Sequence, residues 1–171
     1  MPFTPFHLGP AAALKAAAPR RLSFTVFGFT QVLIDLEPLY YMLRHEAILH
    51  RFFHTYAGAT LVGVAGVVLG RPVCQWLLLM LHRLGNQAQR AKARAASRIP
   101  LGAAVAGAFL GVYSHVLLDS IMHADIRPLA PFSQANPLFR VLSLDVLHQL
   151  CLGAGIVGSI VLALTARSKR A

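Results

Sequence analysis

Residues 101–128 read LGAAVAGAFLGVYSHVLLDSIMHADIRP. As far as Tyr113 the stretch is small or apolar, and its chemistry gathers at the far end. The segment 101–122 is long enough for a helix that crosses a bilayer, which needs about 20 residues. Gly102, Ala103, Ala104, Ala106, Gly107, Ala108 and Gly111 give it a small face that another helix can approach closely. His115, Asp119, His123 and Asp125 follow within eleven residues. On a helix His115 and Asp119 are i and i+4 and point the same way. An imidazole and a carboxylate at that spacing can grip one divalent cation. His123 is one more such step along the face. Ionisable groups are costly in hydrocarbon and mark function there, so the stretch raises the question of where further ligands lie.

The rest of the chain has the same apolar character. Its 171 residues are 56% hydrophobic and only 13% charged, and the mean hydropathy is +0.59. These values favour an integral membrane protein over a soluble one, with a single domain spanning 1–171. Segments 22–43, 56–81 and 146–166 are the other spanning candidates. The predicted fold is therefore an all-α membrane protein, a bundle of about four transmembrane helices. Pro10 and the run Ala11–Ala18 predict one more helix. It is too short to cross a bilayer, so a re-entrant or interfacial helix is expected. The start lacks the basic region of a secretory signal and is interrupted by Pro2 and Pro5, so it is expected to be retained. Cys74 and Cys151 both fall in apolar segments and read as buried, inert thiols.

The net charge is +10. In a soluble protein that balance would suggest nucleic acid as a partner. Here the basic residues flank the apolar segments, and topology explains them better. Lys15, Arg20 and Arg21 precede the first span. Arg83, Arg90, Lys92, Arg94 and Arg98 fill the segment 82–100 with no acidic residue among them, and Arg167, Lys169 and Arg170 follow the last span. The positive-inside rule then places both termini and the basic loop 82–100 in the cytoplasm. Connectors 44–55 and 123–145 face outside. Asp35, Glu37, His50, His54, His115, Asp119, His123 and Asp125 all fall near the outer boundary in consequence. Tyr40, Tyr41, Phe52, Phe53 and Tyr56 lie at the same level, as an aromatic belt would.

Individual features add to this. Pro38 predicts a kink in the first span. His50 and His54 are i and i+4, the pair geometry of helical zinc sites. Gly66 and Gly70 predict a close helix contact. Arg71-Pro72 is expected to interrupt the second span, with Arg71 snorkelling or pairing with a carboxylate. His7 would lie on the cytoplasmic side unless residues 1–19 dip into the bundle.

Several motifs in this order resemble the membrane-bound metal-dependent hydrolases, the YdjM-like inner-membrane proteins of bacteria and archaea. They are Thr4-Pro5-Phe6-His7, Asp35-Leu36-Glu37-Pro38, His50-Arg51-Phe52-Phe53-His54-Thr55, and Ser114-His115-Val116-Leu117-Leu118-Asp119 followed by Arg127-Pro128 and Pro131-Phe132. The resemblance covers roughly residues 1–140. Glu37 departs from the second Asp of the Asp-x-Asp form seen in many members. A looser similarity is to zinc-dependent phospholipase C and related nucleases, all-helical proteins that also use a His-x-x-x-Asp pair.

What these readings imply is a metal-dependent hydrolase of the inner membrane with its site near the outer leaflet. His54, His115, Asp119 and Asp35 are the expected ligands, with His7 and His50 as further candidates and Zn2+ as the expected ion. Glu37, His123 or Asp125 would act as general base or orient the water. Arg51 and Arg127 would hold the anionic head group of a lipid-like phosphoester or phosphodiester. Two ions are conceivable, because the candidates exceed one tetrahedral shell. The alternative is a non-catalytic metal-binding scaffold or a small carrier. A carrier needs ligands along a path, and apart from Arg71 the inner halves of the spans are nearly free of ionisable groups. Plainer readings also exist. His115 and Asp119 would be a buried hydrogen-bonded pair, His50 and His54 solvated loop residues, and Arg51 and Arg127 anchors to bulk lipid phosphate.

Overall fold

The computed structural model of the chain describes residues 5–82 and 97–168. Thr4 and the basic residues Arg83, Arg90, Lys92, Arg94, Lys169 and Arg170 lie outside the described residues. Among the described residues the regular structure is helical throughout.

A 3-10 turn, Pro5–His7, leads into α1, Leu8–Ala17. Pro10 sits in its first turn, where a missing N–H leaves no bond unmade. At the other end Lys15 folds back, its Nζ donating to the carbonyls of Pro19 and, at 2.7 Å, of Leu22. α2, Phe24–Ile34, starts from Ser23, whose Oγ accepts from the Val26 amide, the usual N-cap role of serine. α2 stops at Ile34, and α3, Leu36–Leu43, begins beyond Asp35. Pro38 is the cause. It has no N–H for the Ile34 carbonyl, and its ring would collide with that group. In the first turn of a new helix the same proline is harmless, and the Leu39 amide bonds Asp35 O at 3.1 Å. The kink predicted from Pro38 is thus a division into two helices with Asp35 at the joint. His45, at φ 56, then ends α3. The amides of His45 and Glu46 bond back to Met42 O and Tyr41 O, closing a Schellman turn.

α4, Tyr56–Ala65, a π turn, Gly66–Gly70, and α5, Arg71–His82, form one unbroken helical run. Arg71-Pro72 does not interrupt it, contrary to the sequence reading. The Arg71 amide reaches back to Gly66 O, and this wider turn makes room for the Pro72 ring without ending the helix. Arg71 is not paired with a carboxylate through its Nε; that atom donates to Ile99 O at 2.9 Å. α6 is Leu101–Met122 and α7 is Leu144–Ser168. Among the described residues three helices are long and apolar enough to cross a membrane: Tyr56–Leu81, Leu101–Met122 and Leu144–Ser168.

α6 is the most enclosed of the three. α2 runs beside it in the same direction, from the Ser23 amide on Ala103 O (2.9 Å) to Asp35 beside His115. Two glycines allow this. A Cβ at Gly111 of α6 would lie 2.3 Å from Thr30 Oγ1, and one at Gly66 would lie 2.3 Å from Thr30 Cγ2. Thr30 of α2 is therefore clasped between α6 and the π turn. α1 packs along α7 by the same device: a Cβ at Gly9 would sit 1.9 Å from Cys151 O, and one at Gly158 would sit 2.4 Å from the Ala12 carbonyl carbon. The two buried apolar clusters, Val26/Cys74/Ile99/Ala104/Ala108 and Ile34/Ala59/Val62/Val112/Val116, lie along the α2–α4–α6 seam. Cys74 and Cys151 are free and buried, as expected.

Candidate metal centre

Asp119 is the hub. It leaves α6 one turn after His115, and His115 Nε2 lies 3.2 Å from Asp119 Oδ2 and 3.4 Å from Asp35 Oδ1. His54 Nε2 approaches Asp119 Oδ2 to 3.8 Å. Asp35, His54, His115 and Asp119 are all buried, and one ligand atom from each lies within 4.8 Å of the others. Donors on one tetrahedral zinc, with bonds near 2.0–2.1 Å, sit about 3.3 Å apart. The His115 edges already have that length.

The outer edges of these imidazoles explain why Nε2 points inward. Gln31 Nε2 donates to Gly111 O at 2.7 Å, so Gln31 Oε1 is the atom facing His115 Nδ1 at 2.8 Å. His115 therefore donates from Nδ1, and its Nε2 faces the two carboxylates, where a proton or a cation would sit between them. His54 Nδ1 donates in the same way to Glu37 Oε2 at 3.1 Å. Glu37 is held in turn by the backbone amides of Arg51 (3.1 Å) and Phe53 (3.0 Å). Partners of this kind fix the tautomer of metal-binding histidines. His54 Nε2, His115 Nε2, His7 Nε2 and Asp119 Oδ1 are buried without a hydrogen bond of good geometry. Buried polar atoms left so are costly; a cation among Asp35, His54, His115 and Asp119 would satisfy those of His54 and His115, whereas His7 lies outside that group and faces Asp119 Oδ1.

His7 does reach the site. With α1 docked along α7, His7 is buried and its Nε2 lies 3.1 Å from Asp119 Oδ1. Its ring meets His115 edge-on at 4.5 Å. The amino-terminal segment thus lies within the bundle.

A second group adjoins the first. His50 Nδ1 lies 3.0 Å from Asp125, and its Nε2 lies 3.9 Å from Asp119 Oδ2. His123 lies over His50 with ring centroids 4.4 Å apart. His50, His123 and Asp125 offer ligand atoms within 4.8 Å of one another. Asp125 is anchored by the amides of Leu49 and His50. Burial pushes the His50 and His123 imidazoles below their ordinary value, so both are neutral at pH 7. Burial also acts to raise Asp125, but the His50 amide and imidazole outweigh it and hold the carboxyl below its ordinary range.

The helical spacing of His50 and His54 is not what unites them. His50 lies in irregular chain and His54 ends the 3-10 turn Phe52–His54. Both are buried, so they are not solvated loop residues. Thr55 caps α4 through its Oγ1 on the Gly58 amide, and the Tyr56 amide bonds Pro128 O, which ties connectors 44–55 and 123–145 together.

The arginines are engaged elsewhere. Arg51 is exposed, pairs with Glu46, and lies over the Tyr41 ring at 3.8 Å. Arg127 is exposed and donates to the carbonyls of Ala124 and Ile126. Gln31 was not among the sequence candidates. Its signal was an amide inside an apolar span, four residues before Asp35.

Comparisons with family models, curated proteins and solved structures find no match. The site's chemistry is therefore argued from its own residues.

Proposed function

We propose that the chain is a metal-dependent hydrolase of the inner membrane that cleaves a phosphoester or phosphodiester of a lipid-like substrate at the outer face. The observation that carries this reading is the buried convergence of Asp35, His54, His115 and Asp119, with His115 and His54 turned inward by Gln31 and Glu37. Neutral imidazoles with carboxylates form the donor set of Zn2+. A bound zinc lowers the pKa of its water to about 7 and so supplies a nucleophile.

The protein's own groups would divide the remaining work. His123 and Asp125, on the less enclosed side, are the candidates to accept a proton from that water. Glu37 acts behind His54 as an orienting group, because its oxygens are occupied by His54 and two backbone amides. Arg51 would bind an anionic head group by exchanging its Glu46 partner for a phosphate oxygen. For the membrane we propose four spans, with α2 and α3 together as the first, α1 as a short re-entrant helix, and both termini in the cytoplasm. The motif order of the YdjM-like hydrolases supports the same assignment.

Metal analysis of purified protein tests this reading. Wild type should carry tightly bound zinc, and H115A/D119A should carry none. Near-zero metal in both would sink it. Hydrolysis of phospholipid vesicles by wild type but not by H115A/D119A would complete the case. One observation favours a second reading, a non-catalytic scaffold. The first group provides four buried protein ligands, and closed four-ligand shells are the habit of structural zinc sites. Bound metal without hydrolysis would favour that alternative.

A further inference from the structure

The candidate donors outnumber one shell. Asp35, His54, His115 and Asp119 already make four, the coordination number of zinc. His50, His123 and Asp125 form a separate group with its own short edges. His50 touches both groups, with Nδ1 3.0 Å from Asp125 and Nε2 3.9 Å from Asp119. The two differ in enclosure. Side-chain exposure is 0% at His115, 4% at Asp119 and 6% at Asp35, but 26% at Asp125. His123 is also only partly buried.

We propose that the protein holds two divalent cations, the second bound by His50, His123 and Asp125 beside the first. The inner position has four protein donors and no need of water. The outer position has three, the number found in catalytic zinc sites, where water takes the fourth place. Hydrolysis would then belong to the outer ion, with His123 and Asp125 serving as its ligands in place of the proton-accepting role given above, and the inner ion would fix the helices that present it. The closed inner shell and an active enzyme become compatible on this view. The second ion presupposes the metal-centre reading given above.

The test is metal stoichiometry on the full chain in detergent, after loading with Zn2+ and dialysis. Wild type should hold two ions per chain, and H123A and D125N one each. Mn2+-loaded wild type should give an exchange-coupled electron paramagnetic resonance spectrum. One ion in wild type, two in H123A, or an uncoupled Mn2+ spectrum would overturn the proposal. One ion in wild type and none in H115A would leave the single-centre reading standing while this one falls. No ion in wild type ends both. Two ions with no hydrolysis of phospholipid vesicles would uphold the pair of sites and remove the hydrolase.

Discussion

Gln31 is the residue whose role is most exposed to a single substitution. Its amide is locked by Gly111 O and presents Oε1 to His115 Nδ1. Q31L keeps the volume and removes that acceptor. Loss of such a partner weakens metal binding by about 10–100-fold, measurable by chelator competition, with helical content unchanged by circular dichroism. Q31E should not restore the full affinity, because a carboxylate oxygen would then face the Gly111 carbonyl with no proton to donate. Glu37 is a structural counterpart. E37A would leave the Arg51 and Phe53 amides and His54 Nδ1 without their acceptor. The two amides are exposed and can turn to water, but the buried His54 donor left unpaired costs about 1–3 kcal/mol, to be read as a lower unfolding temperature in detergent. Proton competition has a definite sign as well. Burial holds His50 and His123 below the ordinary 6.5, against the opposing pull of Asp119 and Asp125. Both stay neutral and able to ligate at pH 7, so an ion held by His50 and His123 should be retained through pH 6.5 and released on further acidification. Metal measured against pH checks this, and release beginning well above 6.5 would contradict it.

Among the elements, α1 and α7 form a unit joined through Gly9 and Gly158, and they contribute His7 to the site. A Leu at Gly158 would drive its Cβ into the Ala12 backbone, which cannot yield as a side chain can. Overpacking of this kind costs about 1–3 kcal/mol. G158L should therefore undock α1 and lower stability. It should still bind metal, because Asp35, His54, His115 and Asp119 come from other segments. A G158L protein stripped of all metal would show the helices to be more tightly coupled than this. The division at Asp35 is an element-level effect too. Pro38 was legible as a kink and Asp35, rather than Glu37, was the expected ligand, but the sequence alone could not place the joint between two helices at Asp35.

For the whole molecule the question is sidedness. Ile48 is exposed in connector 44–55 and Ala130 is partly exposed in connector 123–145, both proposed to face outside. I48C and A130C should react with a membrane-impermeant thiol reagent added outside. The native Cys74 and Cys151 are buried and should give little background. Protection of both engineered thiols would reverse the proposed orientation. The exposed apolar side chains of α7, among them Leu152, Ile156, Ile160 and Leu164, should keep the protein in the membrane fraction through an alkaline wash.

Much of this was legible in the chain itself. The limits of the three long apolar helices follow closely from composition and length, since a bilayer needs about 20 residues of helix. His115 and Asp119 follow from helical periodicity, because i and i+4 share a face whatever surrounds them. Close packing could be read from the small residues of 101–111. Tertiary structure decided the rest. His50 meets Asp119 from irregular chain and His54 from a single 3-10 turn, so no helical periodicity could have placed them. His7 enters because α1 docks on α7, a contact between residues about 140 positions apart. Gln31 and Glu37 act from behind, through bonds to histidines distant in sequence. Such contacts depend on which helices pack together, and a linear pattern records only what each helix does alone.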